Sequence, residues 1–144
     1  MADVKTYFSE DVKAIAGTHR VTGMAKGTFI SIKELGDGIT SEDGNDGEVA
    51  RSAKRYSRFE ITITLMQSSV SNDFFSKMYA LDRLAGQGKF PFTLSDLNGT
   101  TSATAPEAWV TKLPDSDYAE ATGTRQWVLH TGKATSAFIG GISA

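Results

Sequence analysis

The side chains with which this chain could do chemistry are two histidines, a run of carboxylates and a scatter of hydroxyls. His19 and His130 are the only histidines. An imidazole can act as a base near neutral pH or hold a metal. Each of these two lies in a segment of strand-like alternation, with no second histidine or carboxylate at motif spacing, so both are read as structural. In residues 124–131, His130 shares a face with Val128, while Trp127 and Leu129 take the other. Residues 43–48, Asp-Gly-Asn-Asp-Gly-Glu, offer the hard oxygens that calcium prefers. Counting from Asp37 or Asp43, however, does not set ligands at alternating positions with a Glu at the twelfth. Gly17, Gly23 and Gly27 are spaced too irregularly for a phosphate loop and have strands on both sides. No serine sits in a nucleophile elbow, and a chain without cysteine has no disulfide, thiolate zinc site or cysteine nucleophile. The expectation is a protein with no catalytic site, no metal and no cofactor, and not an enzyme.

Period-two alternation and turn residues dominate the elements that carry these groups. Residues 18–23 and 27–35 read as strands. The strongest case is 56–67, where Phe59, Ile61, Ile63 and Leu65 fall on a buried face and Glu60, Thr62 and Thr64 on a wet one. Residues 71–85 read as the one helix, because Phe74, Met78, Leu81 and Ala85 follow helical spacing and Phe75 with Tyr79 widens the stripe. Ser71, Asn72 or Asp73 would cap its start, and Gly86 or Gly88 its end. Residues 89–97 follow as a strand, with Pro91 expected near an edge. Asn98-Gly99 then signals a tight turn, and with no secretory signal the sequon Asn98-Gly99-Thr100 is read as that turn alone. Residues 107–113 and 124–131 are two further strands around a polar connection, and 134–142 forms an apolar, small-residue tail.

Between the strands at 27–35 and 56–67 lies the stretch 37–52, which is polar and rich in glycine. Asp37, Glu42, Asp43, Asp46 and Glu48 crowd into it, and Gly38, Gly44 and Gly47 free its backbone. A compact domain rarely keeps so long a structureless connection without a use for it. It is read as a docking arm, in which Val49 with Ala50 and Arg51 supply an apolar and a cationic anchor beside the acidic Asp43, Asp46 and Glu48.

The 144 residues suit one domain, 1–144, able to bury a core without staples. Residues 1–13 lack the apolar centre of a signal peptide, and no run is long enough to span a bilayer. The expected compartment is therefore the cytoplasm of the producing cell, with no membrane binding by the subunit. A net charge of -2 with acids and bases interspersed gives no footprint for gripping nucleic acid.

In order and spacing, several segments resemble the tail tube proteins of contractile-tailed bacteriophages. They are Ala16-Gly17-Thr18-His19 through Val21-Thr22-Gly23 to Gly27-Thr28-Phe29-Ile30; Asp46-Gly47-Glu48-Val49-Ala50-Arg51-Ser52; and Thr64-Leu65-Met66-Gln67 with Ser71-Asn72-Asp73. Pro91-Phe92, Asn98-Gly99-Thr100-Thr101, Ala108-Trp109-Val110 and Gly123-Thr124-Arg125-Gln126-Trp127-Val128 extend the resemblance over nearly the whole chain. It implies a mainly β fold, a β-sandwich or half-barrel with one flanking helix at about 71–85, also similar to the tube protein of type VI secretion. It further implies hexameric rings that close a β-barrel around a lumen and stack into a tube within a contractile sheath. The implied partners are other copies of the chain, the sheath, tape-measure, baseplate and tail-terminator proteins, and a genome that passes through without specific binding. The implied location is the virion, assembled in the host cytoplasm. On this reading Glu60, Thr62 and Thr64 face the lumen, and the arm, with residues 2–8, joins one ring to the next. The competing reading is a monomeric β-sandwich binding module, recognising carbohydrate through Trp109, Trp127 or Tyr118.

Overall fold

A computed structural model describes residues 4–134 and 136–142; the expectations for residues 2, 3 and 135 lie outside the described residues. After a 3-10 turn at Ser9–Asp11, the chain forms β1 (Val12–Ala16), β2 (His19–Arg20), β3 (Ile30–Glu34), β4 (Ile39–Asp43), β5 (Val49–Ala53) and β6 (Phe59–Met66). Helix α1 (Ser71–Ala85) follows, then β7 (Phe90–Asp96), β8 (Ser102–Lys112), β9 (Thr124–Thr131) and β10 (Ser136–Phe138). The protein is mainly β, and every strand pair is antiparallel.

One sheet takes the order β2-β1-β7-β8-β9-β6-β3, with β10 also on β8. The long strand β8 makes this sheet sandwich-like. Its first residues pair with β7 and β10, and its last with β9. Registers shift between Phe90 and Phe92 and again between Val110 and Lys112. Bulges of this kind bend a strand, which lets the two halves of the sheet turn their apolar faces toward each other. Pro91 and Pro106 both fall at the first shift, where ladder bonds are interrupted. Pro91 was expected at an edge, but β7 is an interior strand, and the bulge is what accommodates a residue with no N–H.

The core follows from alternation. Phe59, Ile61, Ile63 and Leu65 of β6 are buried against Ala14 and Ala16, Phe92 and Leu94, Ala108 and Val110, and Trp127 and Leu129. Helix α1 places Phe75 in this cluster, where its ring lies 5.5 Å from that of Trp127. The helix spans the expected residues but buries less of its stripe than expected. Ser71 and Phe75 are buried, whereas Leu81 and Ala85 are exposed. The expected side-chain caps are absent too. Val70 occupies the N-cap position without a side-chain bond, while Gly86 ends the helix in the left-handed region at φ 67°. Asn72 is drawn elsewhere: its amide donates to Met66 O and Ser69 O, and its Oδ1 accepts from Trp127 Nε1 at 2.9 Å.

Other boundaries also moved. The strand expected at 18–23 is only His19–Arg20, the first strand Val12–Ala16 was not anticipated, and β8 begins at Ser102 instead of 107. The clearest correction concerns 37–52. Instead of a structureless connection, it holds the antiparallel hairpin β4–β5, paired from Ile39↔Ala53 to Asp43↔Val49. Ile39, Thr40 and Val49 have the β-branched stiffness that suits strands. Gly47, at φ 89°, makes the reversal that other residues resist.

Candidate functional site

Two surfaces gather the residues singled out from the sequence. The first is the hairpin. Every residue of β4 and β5 is exposed, including Ile39 at 60% and Val49 at 57%. Opposed pairs share a face of an antiparallel ribbon, so Ile39, Asp43, Val49, Arg51 and Ala53 lie on one side and Thr40, Glu42, Ala50 and Ser52 on the other. The expected anchors Val49 and Arg51 therefore sit together, and Ala50 points away from them. The tip is held by Gly44 N donating to Glu48 O at 2.7 Å, and Glu48 N donating to Asp46 Oδ1 at 3.2 Å. Asp46 thus serves its own turn. Among the described residues, no three His, Asp or Glu side chains gather where they could hold a metal ion.

The second surface is the outward face of β6. Glu60, Thr62 and Thr64 are half-buried, between Ser31 and Lys33 of β3 on one side and Gln126, Val128 and His130 of β9 on the other. His130 Nε2 lies 3.5 Å from Glu60 Oε1, each side chain about a third exposed. In the sequence no carboxylate lies at motif spacing from His130. Strand pairing supplies one from far away in sequence, through a register that local spacing does not encode. At 3.5 Å the contact is long for a hydrogen bond and acts as an ion pair when the imidazole is protonated. Next along the face, Trp109 lies opposite His130, with the Arg58 guanidinium 5.9 Å from its ring.

His19 and Trp127 are tied into the body of the fold. His19 Nε2 is 2.8 Å from Ser71 Oγ, and its ring stacks 4.6 Å from that of Phe74. A hydroxyl beside an imidazole is half of a nucleophilic pair. Ser71, however, is fully buried and its Oγ accepts from Thr22 N at 3.0 Å, so the pair ties β2 to the start of α1. Trp127 is a core residue at 1% exposure, which removes it from the carbohydrate reading. Tyr118 is 80% exposed and has the Arg125 guanidinium 5.5 Å from its ring. A hydrogen bond with Ser116, followed by a bond and charge from Arg125, holds its phenol below the ordinary tyrosine value.

Sequence reasoning missed a third surface. Tyr7, Phe8, Leu97, Phe138 and Ile139 are all exposed, and they gather because both ends of the described chain are tied to the turn between β7 and β8. Asn98 Oδ1 accepts from Phe8 N and its amide donates to Phe8 O, while Thr101 Oγ1 exchanges bonds with Gly140. Asn98 is only 3% exposed, a buried amide that acts as a clamp. No spacing rule links residues 8, 98 and 140, although the isolated apolar residues at 7, 8, 138 and 139 were visible in the sequence.

Comparison with known proteins supplies a context for these surfaces. The family described as Bacteriophage PhiTE tail tube protein matches residues 6–138. "Structural protein ORF10" of Pseudomonas phage KPP10 is 27% identical over 114 residues, which cover 78% of this chain and 66% of that protein's length. Among solved structures, the anti-feeding prophage cap (AFP tube terminating cap) superposes with a TM-score of 0.58 at 14% identity, covering 94% of this chain and 93% of that one. A chain of the PVC sheath-tube complex, an extracellular contractile injection system in the extended state, gives 0.57 at 15% identity, covering 92% and 93%. At such identities the structures show a shared fold.

Proposed function

The chain belongs to the bacteriophage PhiTE tail tube protein family, and from that premise we propose that it assembles as hexameric rings stacked into the inner tube of a contractile tail. The family match over residues 6–138 carries the tube role, and the family is structural and not enzymatic. The open sheet supports the ring. Among the described residues, β2 and β3 end the strand order without a further partner. Unpaired edges invite association, and closing six sheets head to tail would remove them.

In this arrangement Glu60, Thr62 and Thr64 line the lumen. A polar face on which Lys33 and His130 flank the carboxylate of Glu60, beside the uncharged Thr62 and Thr64, gives a phosphate backbone little to grip and lets it slide past, as genome ejection requires. The hairpin, with Asp43, Asp46, Glu48, Val49 and Arg51, makes the axial contact together with residues 2–8. The tape-measure protein fills the lumen before ejection. Sheath, baseplate and terminator proteins cover the outside and the ends of the tube, which is a virion component assembled in the host cytoplasm. Exposed ion pairs contribute only about 0–1 kcal/mol each, so six-fold repetition must supply the rest by avidity.

Electron microscopy of the purified protein tests this directly. The native chain should form tubes or rings, and a variant with residues 40–47 replaced by a Gly-Ser linker should form folded monomers or rings that do not lengthen. Tubes of normal length from that variant would remove the hairpin from the stacking contact. A protein that stays monomeric at high concentration would remove the tube reading itself.

A further inference from the structure

The dipeptide Asn98-Gly99, a turn signal in the sequence, is also a chemical weak point. When glycine follows an asparagine, its backbone nitrogen can reach the asparagine's side-chain carbonyl carbon, because no Cβ hinders the approach. Asn45 and Asn72, the other two asparagines, each precede an aspartate and are more hindered. In the unfolded chain Asn98 is therefore the first asparagine to lose its amide, the reaction that makes this residue type thermolabile.

The fold closes over this weak point with both ends of the described chain. Asn98 Oδ1 accepts from Phe8 N at 3.1 Å, and its amide donates to Phe8 O at 2.7 Å and to Asp96 Oδ1 at 3.1 Å. The side chain that must swing onto Gly99 N is thus held at its oxygen and at its nitrogen. The attacking group is occupied as well. Gly99 N donates to Asp96 O at 3.2 Å, and Gly99 forms a bridge with Ile142. A Cβ added to Gly99 would overlap Gly141 O, so packing of the tail requires the same glycine that makes the bond labile. Residues 4–8, by contrast, are exposed throughout. The hold on Asn98 is only as strong as the docking of that exposed segment, and segments of this kind open at low cost.

We propose that Asn98-Gly99 is a latent deamidation site, kept closed by Phe8 and converted only when residues 4–8 leave their place. In the reaction Gly99 N bonds to Asn98 Cγ, the Cγ–Nδ2 bond breaks, and ammonia departs with the proton of the Gly99 amide. Water then opens the ring at either carbonyl, leaving an aspartate or, with the backbone rerouted through Cγ, an isoaspartate. Water is the only co-reactant. Either product carries a carboxylate that cannot donate to Phe8 O and that faces the carboxylate of Asp96 in a buried site. The released segment then has no clamp to return to, so conversion makes the opening permanent. The site belongs to the single subunit and does not rest on the tube reading.

The full chain is held in mildly alkaline buffer, with and without denaturing urea, and digested at acid pH for mass spectrometry. Conversion at position 98 should be at least about tenfold slower in the native chain, the protection that a closed local structure gives. Phe8→Pro removes the N–H that donates to Asn98 Oδ1 and should recover most of that difference while the β6 amides stay protected from hydrogen exchange. Asn98→Asp supplies one product directly, and chymotrypsin should cut it after Tyr7 and Phe8 several-fold faster than the native chain. Equal conversion rates with and without urea overturn the proposal. So does a folded Phe8→Pro chain that converts as slowly as the native one. Cleavage of Asn98→Asp at the native rate overturns the release of the segment. Should either variant unfold the body, the comparison with and without urea, which needs no variant, decides.

Discussion

The β6–β9 pair and the β4–β5 pair are both antiparallel ladders, yet one lies at the centre of the core and the other is exposed along its whole length. In β6, Phe59, Ile61, Ile63 and Leu65 are between 0% and 7% exposed, and opposite them Trp127 and Leu129 are at 1% and 0%. In the hairpin no residue is buried on either face. The difference shows that hydrogen-bonded pairing gives a strand its shape but contributes little net stability, because water competes for the same groups. Removing apolar surface from water is what stabilises the body. The hairpin is therefore held by its own ladder alone, and it should unfold locally without disturbing the rest.

The sharpest attempt to break this contrast is Ile63→Lys set against Thr64→Lys. A lysine at the fully buried Ile63 should cost more than about 4 kcal/mol, a large part of a typical domain's stability of about 5–15 kcal/mol. At the half-buried, outward-facing Thr64 the same residue should cost less than about 1 kcal/mol. Urea denaturation of the two variants decides, and equal tolerance would refute the assignment of faces. Trp127→Phe should come next, at about 2–3 kcal/mol. It loses ring volume in the core and leaves Asn72 Oδ1 without its donor; a midpoint unchanged in urea would show that this hydrogen bond contributes nothing.

Two glycines carry the comparison into the backbone. Gly23 sits at φ 72°, and an added Cβ would come within 2.6 Å of Ser69 Cβ. Gly23→Ala should therefore lower body stability by roughly 1–3 kcal/mol. Gly47, at φ 89° in the hairpin turn, has open space around it. Gly47→Ala should strain only the hairpin, leaving the melting temperature of the isolated subunit unchanged while slowing its assembly. A clear drop in melting temperature would mean that hairpin and body unfold together. The smallest effect is expected for Val49→Ser, within about 0.5 kcal/mol for the monomer. Hydrogen exchange should follow the same order, with hairpin amides exchanging well before those of β6.

How much of this was legible in the sequence varied with the range of the interaction responsible. Residues 59–66, 71–85 and 124–131 could be read almost to their ends, because alternation of period two or helical spacing is a local property of each segment. Residues 39–53 were obscured by their carboxylates and glycines, since a strand with no buried face shows no alternation to find. Val12–Ala16 and the early part of β8 were missed for a related reason: their core residues are alanines, whose burial depends on how closely a neighbouring strand approaches.

The candidate surfaces divide in the same way. The amino-acid order by itself determined that Glu60, Thr62 and Thr64 lie opposite the apolar face of their strand. Only the tertiary structure decided that His130 meets Glu60 and that Asn98 clamps Phe8. Each of these depends on strand register or on the curl of the sheet at β8. Register and curl emerge from how distant segments pack together, and no short window of residues contains them.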